Sequence, residues 1–149
     1  MVVRVQAEDF YLGDEVSKLA DGNTDIGAIV TFVGVVRDTT NGALLSMELE
    51  HYPAMTKSAL EAIDQAASKR WSLNASMIIH RYGDLVPGAQ IMMVATASPH
   101  RKDAFEAAEF LMDYLKTDAP FWKKEHFKEG AKWVDSKAAD EDAKDRWKT

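Results

Sequence analysis

SPHRKDAFEAAEFLMDYLKTDAPFWKKE (98–125) changes its periodicity partway along, and that change decides the fold. Ser98-Pro99-His100 places a capping residue before a proline. Phe105, Ala108, Met112 and Leu115 then recur at helical spacing until Asp118-Ala119-Pro120 stops the run. Past that stop, PFWKKEHF (120–127) has the aromatic, two-sided look of an extended segment. Upstream, Asn74 to Tyr82 reads as a strand, Val86-Pro87-Gly88 as a turn, and Gln90 to Ala97 as a buried strand. A hairpin feeding a helix that feeds a further strand is therefore expected.

Working outward, GAIVTFVGVV (27–36) is β-branched and apolar, and it runs into the turn-forming DTTNG (38–42). It predicts a buried strand entering a mobile loop. ALLSMELE (43–50) predicts a second strand paired with the first across that loop. From Pro53, a proline in a first turn is followed by Leu60, Ile63, Ala67 and Trp71, which predicts a long amphipathic helix. After 120–127, Lys128-Glu129-Gly130 separates a short strand AKWV (131–134) from a charged tail whose one large apolar residue is Trp147. Strands interleaved with two helices, without a regular βαβ repeat, predict an α+β sandwich with a small added β element. The expected organisation is one domain over residues 1–134 and a charged tail over 135–149.

Composition narrows the function. With 46% hydrophobic and 28% charged residues, the 149-residue chain belongs with globular domains that build one core. No apolar run approaches the roughly 20 residues that cross a bilayer. The opening MVVRVQAEDFYLGDE (1–15) has neither the basic nor the apolar region of a secretory signal, so no membrane association and a cytoplasmic location are expected. Eighteen basic against twenty-four acidic residues give a formal charge of −6, which argues against a nucleic-acid surface. Basic residues that gather in short segments, at Arg37, at His100, Arg101 and Lys102, and at Lys116, Lys123 and Lys124, suit a small-anion site better. Cysteine is absent, so disulfides, thiolate metal sites and a persulfide on this chain are excluded. Any sulfur handled here arrives from outside.

The basic residues each admit two readings. Lys116 stands eleven residues after Phe105, close to the same helical angle, which points it toward the apolar face. It either snorkels to solvent from the last turn or is a partly desolvated amine suited to proton transfer. Lys123 and Lys124 alternate in an extended segment, so only one of them can face a pocket; both could equally protect an edge strand. His100 and Arg101 open the helix, where free N–H groups favour an anion, yet they also fit an ordinary surface cap. His51, His80 and His126 lack metal-site spacing and read as structural, so no metal is expected.

Five stretches together resemble the molybdopterin synthase large-subunit family over nearly the whole chain: GAIVTFVGVVRD (27–38), LEHYPAMTKSAL (49–60), IIHRYGDLVPGAQI (78–91), 98–125 and AKWV (131–134). The fourth carries most of the resemblance, through HR-x-x-AF followed by DYLK-x-x-AP-x-WKKE. The resemblance implies an α/β hammerhead-type fold with a small additional antiparallel β subdomain. It implies a homodimer within a heterotetramer, with a small ubiquitin-like sulfur-carrier subunit at each end. The implied reaction moves two sulfurs from a thiocarboxylate on that partner's C-terminal Gly-Gly to cyclic pyranopterin monophosphate, forming the dithiolene of molybdopterin without a bound cofactor. By matching position, Lys116 and Lys123 correspond to the catalytic lysines, Arg37, His100 and Arg101 to substrate-binding residues, and Phe32 and Met112 to apolar pocket positions. The family lends an arginine to the neighbouring subunit near the tail; Lys137 is the nearest match, keeping the charge and giving up the bidentate grip. His100 and Lys116 lie about 24 Å apart along one helix at roughly 1.5 Å per residue, so a site using both requires a second copy. The rival reading is an adaptor that docks a ubiquitin-like protein through the same basic groove without chemistry.

Overall fold

The computed structural model describes residues 1–134 and 138–148. In chain order the elements are β1 (Val2–Gln6), α1 (Leu12–Ala20), β2 (Ala28–Val35), β3 (Ser46–His51), α2 (Pro53–Arg70) and β4 (Ala75–Arg81). They continue with β5 (Gly83–Leu85), β6 (Gln90–Ser98), α3 (Arg101–Leu115), β7 (Phe121–Phe127), β8 (Gly130–Val134) and α4 (Ala138–Asp145). Two four-stranded sheets result, ordered β1-β4-β6-β2 and β5-β3-β7-β8. Only β1 and β4 run parallel; every other pairing is antiparallel. The expected mixed α+β class is the one observed. No helix among the described residues is long and apolar enough to cross a membrane.

The first sheet is covered on both faces, which explains why β4 and β6 read as continuous apolar runs rather than alternating ones. Met77 and Ile79 of β4 join Met93, Ala95 and Phe10 in a core on the α1 side. Their neighbours Ile78, Met92 and Val94 point the other way, into a larger core built with Leu60, Ile63 and Ala67 of α2 and Phe110, Leu111 and Leu115 of α3. The β4–β6 hairpin forms as expected, with Ala75 opposite Ala97. Gly88 takes the turn at φ +90. Between the two strands, Gly83–Leu85 is diverted to the second sheet as β5.

Two expectations are corrected. Residues 27–36 and 43–50 do not pair: β2 lies against β6, and β3 lies in the other sheet between β5 and β7. The ladder slips between Gly34 and Val35. Val36 then exchanges backbone hydrogen bonds with the 88–89 turn, so the chain leaves the first sheet there. The crossing loop is pinned by Asp38, whose Oδ1 accepts from the backbone N–H of Thr39 at 2.7 Å and of Leu44 at 3.1 Å. Second, Phe105 is not on the buried face of α3; it is 60% exposed. Ala104, Ala107, Ala108, Leu111 and Leu115 are buried instead. Thr96 donates from Oγ1 to the Ala104 carbonyl at 2.6 Å, so β6 approaches the helix at a small residue that a phenyl ring would displace.

The described end of the tail, through Lys144, Arg146 and Trp147, packs back on its own chain. Arg146 pairs with Asp113 and Glu109 of α3 at 2.7 and 2.6 Å, and Lys144 with Asp118 at 3.0 Å. Trp147 donates from Nε1 to Asp113 at 2.6 Å and packs edge-on against Trp71 and Phe110. Arg70 stands over all three rings. Lys137 lies outside the described residues.

Candidate functional site

Where the end of α3 meets β7, the two sheets leave a recess between them. Its floor comes from the first sheet: Phe32 and Gly34 of β2, Met92 of β6 and His80 of β4. Met112, Leu115 and Lys116 contribute from α3, and Phe121 and Lys123 from the second sheet. An adjoining hollow shares Lys116, Phe121 and Lys123 and adds Arg37, Glu125 and, from α4, Asp140. Lys116 and Lys123 thus line both the recess and the adjoining hollow, where Arg37 joins them with two carboxylates, Glu125 and Asp140.

Each side chain reaches this place for a local reason. Lys116 is the C-cap of α3, in the right-handed helical region at φ −70 and ψ −21, and its N–H closes the last turn on the Met112 carbonyl at 3.0 Å. Because the helix ends there, Lys116 is exposed rather than held in the core, and Leu115 takes the buried position beside it. Alternation along β7 puts Phe121, Lys123 and Glu125 on the inner face. Lys124 turns outward, with its ammonium 4.9 Å from the centre of the Trp133 ring. The choice left open between the two lysines is therefore made by strand geometry. Arg37 follows the slip at the end of β2 and stands at the mouth of the hollow.

His80 is the unforeseen member. It follows Ile78 at strand spacing, faces the α2 and α3 side and is 6% exposed. Its Nδ1 donates to the Arg81 carbonyl at 2.8 Å, which leaves Nε2 without a proton in the neutral ring. Burial pushes its pKa down to about 4, with the charges of Lys123, His51 and Lys116 adding to the effect. Phe121 stacks on its face with ring centres 3.7 Å apart and planes 15° apart. His51, also shifted down by burial, lies 5.7 Å from the same phenyl ring. Alternation could have placed Glu125 beside Lys123; no sequence signal could have placed Asp140.

His100 and Arg101 do not join this recess. They stand at the opposite end of α3, with His100 as N-cap in extended geometry at φ −130 and ψ 148. The Ser98 hydroxyl donates to the His100 carbonyl rather than capping a helix N–H. Gly27 donates to the Ser98 carbonyl at 3.0 Å, and a Cβ at Gly27 would collide with the Pro99 carbonyl, so only glycine lets β2 begin this close to the helix start. Both His100 and Arg101 are exposed.

Among the described residues, one grouping has metal-ligand types: Glu48, Asp84 and His126, on the outer face of the second sheet, with one ligand atom of each within 4.8 Å of the others. It is already internally paired. His126 Nε2 meets Glu48 at 2.9 Å, and hydrogen bonds with Glu50 and His126 hold the Glu48 carboxyl below its usual range. Lys124 supplies positive charge beside it.

Comparison with known proteins matches this arrangement to one family. The family model described as MoaE protein matches residues 5–118. The molybdopterin synthase catalytic subunit of Cereibacter sphaeroides is 58% identical over 147 residues, covering 99% of this chain and 100% of the relative. That of Rhizobium meliloti is 54% identical over 149 residues, covering 99% and 96%. Among solved structures, the molybdopterin biosynthesis MoaE protein from Burkholderia ambifaria superimposes with a TM-score of 0.86 at 50% identity, covering 99% of this chain and 98% of that one. Likeness in sequence and in fold across the full length leaves one conclusion: the chain belongs to the MoaE protein family.

Proposed function

We propose that this chain is the catalytic subunit of a molybdopterin synthase, a sulfurtransferase that converts cyclic pyranopterin monophosphate to molybdopterin in molybdenum cofactor biosynthesis. The sulfur comes from the C-terminal thiocarboxylate of a small ubiquitin-like partner. The observation that carries the reading is that Lys116 and Lys123 line one recess and meet Arg37 in the hollow adjoining it, in a chain without cysteine. Pterin phosphate and thiocarboxylate are both anions, and fixed cations in a partly dry hollow stabilise charge that develops there. The relatives' own description as catalytic subunits fits an enzyme whose sulfur carrier is another chain.

In the proposed sequence the partner's tail enters extended, because only a narrow segment carries a reactive carbonyl into a recess. The thiocarboxylate sulfur bonds to a side-chain carbon of the precursor, and the oxygen it displaces leaves with a proton from Lys116. Lys123 stabilises the anionic intermediate. The tail is then held to the pterin by a thioester, and water cleaves it, leaving sulfur on the pterin and a carboxylate on the spent tail. A second loaded partner repeats the cycle, completing the dithiolene.

His100 and Arg101 enter this reading from a second copy of the chain, which supplies them to the recess of the first in a homodimer carrying a partner at each end. The tail around Lys137 belongs to the same contact, and the cytoplasm is the compartment that supplies the precursor. The test is a single-turnover assay with purified chain, thiocarboxylated partner and precursor. Two sulfurs per product are expected. Tight partner binding without any product would leave only an adaptor.

A further inference from the structure

The two lysines of the recess belong to different halves of the molecule. Lys116 ends α3, whose Leu115 is packed into the core of the first sheet, whereas Lys123 rides on β7 of the second sheet. Among the described residues no strand ladder joins the sheets, so beside the short connections at Tyr82 and at 116–120 and the hydrogen bonds of Val36 with the 88–89 turn, side-chain contacts help to set the separation of the two amines. At the recess one such contact is His80 stacked on Phe121. The histidine is fixed from behind: its Nδ1 is bonded to the Arg81 carbonyl, and Arg81 is itself anchored to the carbonyls of Ala7 and Gln90 at 3.0 and 2.9 Å. Phe121 opens β7, two residues before Lys123 and on the same face.

We propose that His80 is a positioning residue of this site: its imidazole, fixed on β4 and stacked on Phe121, joins the two sheets and sets where Lys123 stands relative to Lys116. The inference rests on the reading of the recess as the sulfur-transfer site. A flat ring is needed because the contact is face to face, at 3.7 Å and 15°. The ring must also be uncharged, since a third cation beside two lysines would repel them and draw water into the hollow. Phenylalanine meets both demands, whereas alanine is uncharged but has no ring to stack.

The experiment compares His80→Ala, His80→Phe and Lys116→Ala in the full assembly with thiocarboxylated partner, measuring kcat, KM for the precursor, partner affinity and thermal stability. A displaced amine lowers the rate rather than the docking, so His80→Ala should lose about ten- to a hundred-fold in kcat. KM and partner affinity should stay within about twofold of wild type. His80→Phe should restore most of the rate. If His80→Ala does not fold, Phe121→Leu, which keeps apolar bulk and loses the stacked ring, should show the same selective loss of kcat. Equal losses in His80→Ala and His80→Phe would show that a stacked uncharged ring does not set where Lys123 stands and overturn the proposal, as would full activity in His80→Ala or in Phe121→Leu. Wild-type turnover by Lys116→Ala is a separate outcome that removes the site reading and this inference with it.

Discussion

The two ends of α3 carry similar residues in very different surroundings. At its C-terminal end, Lys116 meets Lys123 across a recess walled by Phe32, Met92, Met112 and Phe121, with Arg37 in the hollow adjoining it. At its N-terminal end, His100 and Arg101 stand exposed beside a tight β2 start. The helix dipole alone would favour an anion at the second place, not the first. What distinguishes the first is the second sheet, which folds over the helix end and turns scattered cations into a walled hollow. Local helix electrostatics therefore ranks the two ends in the opposite order to tertiary enclosure.

The sharpest way to break this comparison is to remove Lys116. Lys116→Ala should lower single-turnover product formation by about a hundred- to a thousand-fold while partner binding in a parallel titration barely changes. Loss of binding with normal saturated turnover would move Lys116 to a docking surface. Lys123→Ala should follow the same pattern less severely.

The next effect concerns stability at the enclosed end. His80 has a folded-state pKa of about 4, below its ordinary value of 6.5. Between those values the unfolded chain binds more protons than the folded one, so stability present above pH 6.5 is lost as pH falls toward 4. Its contribution is on the order of 3 kcal/mol. Denaturant titrations at pH 7 and pH 4.5 should show this loss in the wild type and a shallower slope in His80→Phe; identical slopes would mean that His80 is not buried as a neutral ring.

A smaller effect tests what holds the helix between its two ends. Trp147 is only partly buried but joins Trp71, Phe110 and Asp113 into one cluster. Trp147→Ala should cost about 2 kcal/mol in a urea titration. Arg146→Ala, which removes two ion pairs and a guanidinium contact with the Trp147 ring but opens no core cavity, should cost less, about 1 kcal/mol.

The smallest signal asks whether the exposed end completes the enclosed end of another copy. Lys116→Ala and Arg101→Ala chains, each weak alone, are unfolded together and refolded at equal amounts. Half of the resulting dimers are mixed, and each mixed dimer holds one intact site of two, so about a quarter of wild-type activity should return. Activity no higher than the average of the two variants would confine each site to a single chain.

Most elements were legible because their patterns are local. The proline start of α2, the Val86-Pro87-Gly88 turn and the stop at Asp118-Ala119-Pro120 each act within a few residues, and the structure has elements beginning or ending at all three. The misjudged features were set by partners distant in sequence. β1 and α1 gave no clear sequence reading, because the five residues of β1 become a strand only by adding parallel to β4. Phe105 fits helical spacing as well as its neighbours do, yet the face of α3 turned to the core carries Ala104, Ala107, Ala108, Phe110, Leu111 and Leu115, with Thr96 bonded to the Ala104 carbonyl beneath it.

From residue types and order alone came the mixed class, the absence of cysteine and the positions of the cations along the chain, since each follows from composition or short-range spacing. Tertiary structure decided which cations meet. Strand alternation allowed either Lys123 or Lys124 to face inward, and only the pairing of β7 between β3 and β8 determined which of its faces looks toward α3. His80 is the clearest case. In sequence it is one histidine in an apolar strand; its burial, neutral ring and contact with Phe121 exist only because residues forty-one positions apart are brought face to face.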